Sequence, residues 1–138
     1  MEQPRDQHEQ SMPPRGNAYR LSRLIASFKY AFQGLGYLVR TQRNAQIHCF
    51  AALVATLLGA LLRIERWEWL ILVLTMTLVL AAEGVNTAVE ATVDLATTSY
   101  HPLAKIAKDV AAGTVLLCAF GSIVVGCLIF LPRLIAWF

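Results

Sequence analysis

The chain has 138 residues, of which 57% are hydrophobic and 15% charged, with a formal net charge of +3. Ordinary soluble domains carry about 25% charged residues, and so short a chain has too small an interior to hide long uncharged runs from water, so lipid is the solvent that this composition fits. The basic residues form no stripe with interleaved aromatics, which argues against a nucleic-acid partner.

Residues 1–18 mix Glu2, Arg5, Asp6, Glu9 and Arg15 with Gln and Pro and hold almost no apolar anchor, so they read as a disordered cytoplasmic tail. The first nineteen residues are polar and include Pro4, Pro13 and Pro14, unlike a cleavable signal peptide, so the first membrane segment is expected to direct insertion. Over 19–40, Leu21, Leu24, Ile25, Phe28, Phe32 and Leu35 recur at helical spacing, opposed by Arg20, Arg23, Lys29 and Gln33. This pattern predicts an amphipathic helix lying in the membrane interface.

Three membrane spans follow, at about 45–62, 67–95 and 110–131. In the first, His48 is the only ionisable residue. Arg63, Glu65, Arg66 and Glu68 make a short polar turn, and Trp67 and Trp69 anchor the start of the second span at an interface. Gly113, Gly121 and Gly126 in the third read as helix-packing positions, and Pro132, Arg133 and Trp137 end it. Cys49, Cys118 and Cys127 lie in apolar runs without C-x-x-C spacing and read as small apolar side chains. The tail, the surface helix and the second loop hold nine Lys and Arg, including Lys105 and Lys108; the other side holds Arg63, Arg66 and Arg133. The positive-inside rule therefore places the amino terminus in the cytoplasm.

The second span turns polar in an ordered way. At about 100° per residue, Glu83, Asn86, Thr87, Glu90 and Asp94 share roughly a third of the helix circumference, away from Val85, Val89 and Val93. A carboxylate inside the membrane is costly, so such a stripe should face a bundle interior or a water-filled cleft. From Trp69 at the outer interface, Glu83 lies about 21 Å in, within the inner third of the core, and Glu90 about 10 Å beyond, at the cytoplasmic headgroups. Ser99, Tyr100 and His101 then precede Lys105, Lys108 and Asp109, which puts hydroxyls and cations on the same side. Phosphoryl transfer needs such parts: cations for phosphate charge, carboxylates for a divalent ion and a base for the attacking hydroxyl. Helix-to-helix hydrogen bonding and a coupling-ion site in a small transporter are alternatives that use the same residue types. No G-x-x-x-x-G-K-[ST] phosphate loop is present, so a nucleotide site would be unconventional.

The run Glu83-x-x-Asn86-Thr87-Ala88-x-Glu90-x-x-Val93-Asp94, followed by Tyr100-His101-Pro102-Leu103-Ala104-Lys105-Ile106-Ala107-Lys108-Asp109, resembles the small prokaryotic lipid kinases, diacylglycerol kinase and undecaprenol kinase. The resemblance covers roughly residues 20–131. It implies an all-α membrane protein with three transmembrane helices and an amino-terminal surface helix, assembled as a homotrimer in the inner membrane. It implies that Glu83 is the general base for the lipid hydroxyl, that Asn86 helps hold the reacting groups, and that Glu90 ligates the magnesium ion bridging the ATP phosphates. It also implies that Arg23, Tyr30, Ser99, Tyr100 and His101 contact the nucleotide and that Lys108 and Asp109 engage ATP. For Arg23 and Tyr30 interfacial anchoring is the alternative. Gln42 stands where many members carry a second metal-binding Glu; an amide oxygen can ligate a hard cation but brings no charge. The Arg43-Asn44-x-x-Ile47-His48 run resembles the undecaprenol kinase branch. The expected activity is ATP-dependent phosphorylation of a membrane lipid, diacylglycerol to phosphatidic acid or, as the alternative, undecaprenol. A small ion-coupled transporter or a non-catalytic helical assembly protein is the alternative of a different class.

Overall fold

The computed structural model describes residues 17–136, in four helices: α1 (Asn17–Thr41), α2 (Arg43–Leu61), α3 (Arg66–Ala96) and α4 (Pro102–Ile135). Most of the tail expected at 1–18, and Trp137, lie outside the described residues. The chain divides into two units, one up to Gly34 and one from Leu35 onward. In the first unit, the apolar side chains Leu21, Leu24, Ile25, Phe28 and Phe32 are all exposed, as are Arg20, Arg23, Lys29 and Gln33, so the amphipathic pattern is present with both faces uncovered.

In the second unit, α2, α3 and α4 are each long and apolar enough to cross a membrane. The chain is an all-α membrane protein. Hydroxyls within these helices are satisfied by the helix that carries them: Thr56, Thr75, Thr77 and Thr114 each donate to the carbonyl four residues back. Helix α3 packs chiefly on α4 and more lightly on α2. The end of α1 joins this unit through Leu38, which is buried and reaches within van der Waals range of the position a side chain would take at Gly84.

Each connection has a local cause. Helix α2 ends in a Schellman motif: Arg63 takes a positive φ of 50°, its N–H donates to the Ala60 carbonyl, and the Ile64 N–H donates to the Gly59 carbonyl. Glu65 then caps α3, and its own N–H donates to Glu68 Oε2 at 2.7 Å, one arm of a capping box. At the opposite end, His101 caps α4 by accepting the Leu103 N–H on Nδ1 at 3.2 Å, and Pro102 fills the first helical position, where no N–H is needed. Helix α4 therefore begins eight residues before the expected span at 110, and Lys105, Lys108 and Asp109, expected in a loop, stand on its first turns.

The apolar core sits at the α2–α3 turn. Ile64, Leu72, Ile129 and Phe130 are buried together, flanked by Leu62, Trp69 and Leu134. Trp69 comes close enough to α2 that a Cβ at Gly59 would stand 3.0 Å from its Cη2 atom and 3.1 Å from Ile64 Cδ1. The same end holds a buried ion pair: Arg133 donates to Glu68 Oε1 at 2.8 Å and to Oε2 at 2.6 Å. Glu68, expected in a polar turn, is thus inside α3 and 4% exposed. Helix α4 continues through Pro132 to Ile135, and Arg133 also donates to the Ile129 carbonyl at 2.9 Å. Among the described residues the packing expected at Gly113, Gly121 and Gly126 is not made, because none of them lies within 4 Å of a Cβ built at any of the three.

Candidate active site

With the apolar core gathered at one end, the polar stripe of α3 is left toward the α3–α4 loop. Burial along it is graded: Glu83 is 1% exposed and Asn86 6%, Thr87 and Glu90 are half-buried, and Asp94 is exposed. Helical spacing keeps them on one face, and the gradient follows from α2 and α4 covering that face at Glu83 but not at Asp94. The Thr87 hydroxyl donates to the Glu83 carbonyl at 3.0 Å, so it is spent within the helix.

Glu83, Asn86 and Glu90 line a cleft of about 290 Å³ between α2, α3 and α4. The Asn86 amide donates from Nδ2 to Glu90 Oε1 at 3.1 Å. That bond turns the Asn86 Oδ1 atom toward unpaired space: Oδ1 and Glu83 Oε2 are both buried and have no hydrogen-bond partner among the described residues. Buried polar atoms in native proteins are paired in the great majority of cases, and an acceptor left bare costs about 1–3 kcal/mol. Two such acceptors on neighbouring turns are complementary to a donor or a cation. Glu68, almost as buried on the same helix, has both oxygens engaged and marks no such place.

Helix α4 contributes Ala112, Val115, Leu116 and Ala119 to the cleft, small or apolar side chains that leave room without competing for charge. One turn before Ala112 on the same face, Lys108 Nζ meets Asp94 Oδ1 at 2.6 Å, with side chains 37% and 68% exposed. Asp109 pairs instead with Lys105, four residues away on α4. Lys108 and Asp109, expected to act as one pair, thus have different partners. Tyr100 and Ser99 are exposed in the loop, where the Ser99 carbonyl accepts the Thr97 hydroxyl at 2.9 Å. His101 is the α4 cap described above.

Gln42 forms the break between α1 and α2. It is extended, at φ −97° and ψ 113°, and half-buried, and its side chain does not cap α2. Arg23 and Tyr30 are exposed on α1 in the first unit. Two residues to which the sequence reading gave no role in the site, Asn44 and His48, line the cleft from α2. Their signal was the i, i+4 spacing of two polar side chains at the start of an otherwise apolar span.

Among the described residues no three His, Cys, Asp or Glu side chains are grouped as a metal site. The donors present nevertheless suit magnesium, which takes oxygen ligands and is commonly held by one or two carboxylates together with waters and substrate phosphates. Glu90 supplies the carboxylate, held by the Asn86 amide and lining the cleft.

Residues 29–130 match the family model of prokaryotic diacylglycerol kinase. The chain belongs to that family. It is 44% identical over 126 residues to a diacylglycerol kinase of Synechocystis, covering 90% of this chain and 72% of that protein. It is 45% identical over 114 residues to an undecaprenol kinase of Bacillus subtilis, covering 83% of this chain and 93% of the relative. A diacylglycerol kinase of Haemophilus influenzae is 34% identical over 112 residues. The matched range contains the cleft residues Asn44, His48, Glu83, Asn86 and Glu90.

Proposed function

We propose that this member of the prokaryotic diacylglycerol kinase family transfers the terminal phosphate of ATP to the hydroxyl of diacylglycerol, yielding phosphatidic acid, at the cytoplasmic side of the inner membrane. The observation that carries the reading is the pair of bare acceptors, Glu83 Oε2 and Asn86 Oδ1, in the cleft at one end of the bundle. In this reading Glu83 accepts the proton of the lipid hydroxyl as its oxygen forms the new bond to phosphorus and the bond to the ADP oxygen breaks. Asn86 orients the reacting groups while its amide holds Glu90 in place. Glu90, with Gln42 as a second oxygen donor, would hold magnesium, which when bound offsets the phosphate charge. Lys108 exchanges its exposed partner Asp94 for a phosphate oxygen, a swap made easy because surface ion pairs contribute little. Arg23, Tyr30, Ser99, Tyr100, His101 and Asp109 supply the remaining nucleotide contacts.

Undecaprenol as acceptor is the second reading, favoured by the 45% identity to a protein of that activity. The same orientation puts the amino terminus in the cytoplasm, supported by the excess of Lys and Arg on that side. A homotrimer completes the reading, supported by Gly113 and Gly121 of α4, which meet nothing among the described residues. Purified protein incubated with labelled ATP and each lipid in turn tests it. Label should pass to diacylglycerol or undecaprenol in a magnesium-dependent way, and transfer to neither would reject the kinase assignment.

A further inference from the structure

The α2–α3 turn reads Arg63-Ile64-Glu65-Arg66-Trp67-Glu68, two arginines against two acids along the chain. The structure unbalances that count. Glu68 is turned into the bundle, where Arg133 from the end of α4 engages both of its oxygens. Glu65, the acid that stays outside, accepts the Trp67 indole N–H on Oε2. Arg63 and Arg66 are exposed, and among the described residues no carboxylate comes within ion-pair distance of either. The surface of the turn therefore holds two guanidinium groups and one carboxylate, an excess of one positive charge.

Both arginines stand where the backbone disfavours them. Arg63 holds a φ of 50° after α2, a left-handed conformation that favours glycine because a Cβ crowds the following carbonyl oxygen. Arg66 is the first residue of α3, where the helix dipole favours an acid and repels a cation. No ion pair among the described residues offsets either cost. The neighbours fix the level of the turn. Leu61 before it and Leu70 after it are exposed apolar side chains on helices long enough to cross a membrane, and exposed Trp67 is of a type enriched at the membrane interface. Charge between two lipid-facing leucines lies at the depth of the headgroups.

We propose that Arg63 and Arg66 form a binding site for the phosphate of an anionic phospholipid headgroup. A guanidinium donates two parallel N–H groups to phosphate oxygens. A phosphodiester without a compensating amine carries the negative charge that balances the turn, and Leu61 and Leu70 meet the acyl chains of the same lipid. The turn lies at the end of the bundle opposite the polar cleft, so the site is separate from phosphoryl transfer.

Native mass spectrometry of the detergent-solubilised protein, titrated with phosphatidylglycerol, phosphatidylcholine of the same chains or inorganic phosphate, tests the site. Arg63→Gln and Arg66→Gln should each weaken the binding of phosphatidylglycerol about fivefold, the scale of one basic residue's attraction to an anionic membrane surface. The double variant should hold one fewer phosphatidylglycerol per chain than the wild type. Phosphatidylcholine should bind more weakly, and inorganic phosphate should not displace the anionic lipid. Arg63→Gly should show the same loss of lipid and yet a raised unfolding midpoint in lipid-free detergent, because glycine suits the left-handed turn. Unchanged phosphatidylglycerol binding in the double variant, equal binding of phosphatidylcholine, displacement by inorganic phosphate, or an unfolding midpoint of Arg63→Gly no higher than that of the wild type would each overturn the assignment.

Discussion

Glu68 and Glu83 share a helix and a degree of burial, 4% and 1% exposed, yet only Glu68 has every oxygen engaged. The difference in pairing separates a carboxylate that fastens two helices from one whose Oε2 has no partner among the described residues, the one proposed as the base. Glu83→Gln should therefore leave the fold intact and lower turnover at least about a hundredfold, since a positioned general base contributes 10²–10⁴-fold. Near wild-type turnover in a folded variant would remove Glu83 from the chemistry. At Glu90 the expected defect is in metal use. Glu90→Gln keeps an oxygen for the Asn86 amide but withdraws the charge a hard cation needs, so the magnesium midpoint should rise by roughly tenfold or more, the scale seen when a site loses one supporting group. Gln42→Glu should move that midpoint the other way, because its side chain is not occupied in capping α2 and a carboxylate there adds ligand charge. A magnesium titration of the three proteins checks both, and an unmoved midpoint in either variant excludes that residue from the metal site.

At the scale of the element, His101 caps a helix and is also a proposed nucleotide contact. Its Nδ1 atom caps α4, which places the Nε2 atom outward as the donor of the same ring. Asn is among the best caps, so His101→Asn should keep α4 and the melting temperature while raising the ATP concentration for half-maximal rate; His101→Ala should lower stability as well, by about 1 kcal/mol. A normal ATP requirement in the Asn variant would leave His101 as a cap alone. Helix α2 is held from the other direction. Gly59 lies under the Trp69 ring and the Ile64 methyl, both at the limit of close approach to any Cβ. Gly59→Leu should cost about 1–3 kcal/mol through overpacking, read as a lowered unfolding midpoint in detergent.

At the scale of the molecule, the apolar core and the polar cleft occupy opposite ends of the bundle. Ile64, Leu72, Ile129 and Phe130 close one end around the Glu68–Arg133 pair, and the other end stays open at the cleft. Breaking the pair should therefore act on stability and spare the chemistry. Arg133→Met leaves Glu68 buried without its cation and should destabilise by about 3 kcal/mol, while the double variant Glu68→Met, Arg133→Met should recover much of that loss because no charge is stranded. Thermal unfolding in detergent gives both values. Magnesium and ATP requirements measured well below the midpoint should match the wild type in both variants.

The helical class, the three apolar helices and the stripe from Glu83 to Asp94 are legible in the chain itself, because hydrophobic run length and period are properties of local order along the sequence. The cap at His101 was legible in principle from Pro102, yet Lys105 to Asp109 read as loop because charge outweighed the helix signal. What each polar side chain meets was beyond reach. Glu68 looked like part of a polar turn until Arg133 came back across the bundle to meet it, and Asn44 and His48 looked like the ordinary start of a span until α2 was laid beside Glu83. Those outcomes depend on which helix faces which, and that is decided by Gly59 admitting Trp69 and by small residues leaving space on α2 and α4. The sequence by itself thus determined that acids would lie in the membrane on one face of a helix. Only the tertiary structure decided which of them is paired and which is left with a bare oxygen, because pairing is a property of contacts between segments distant along the chain.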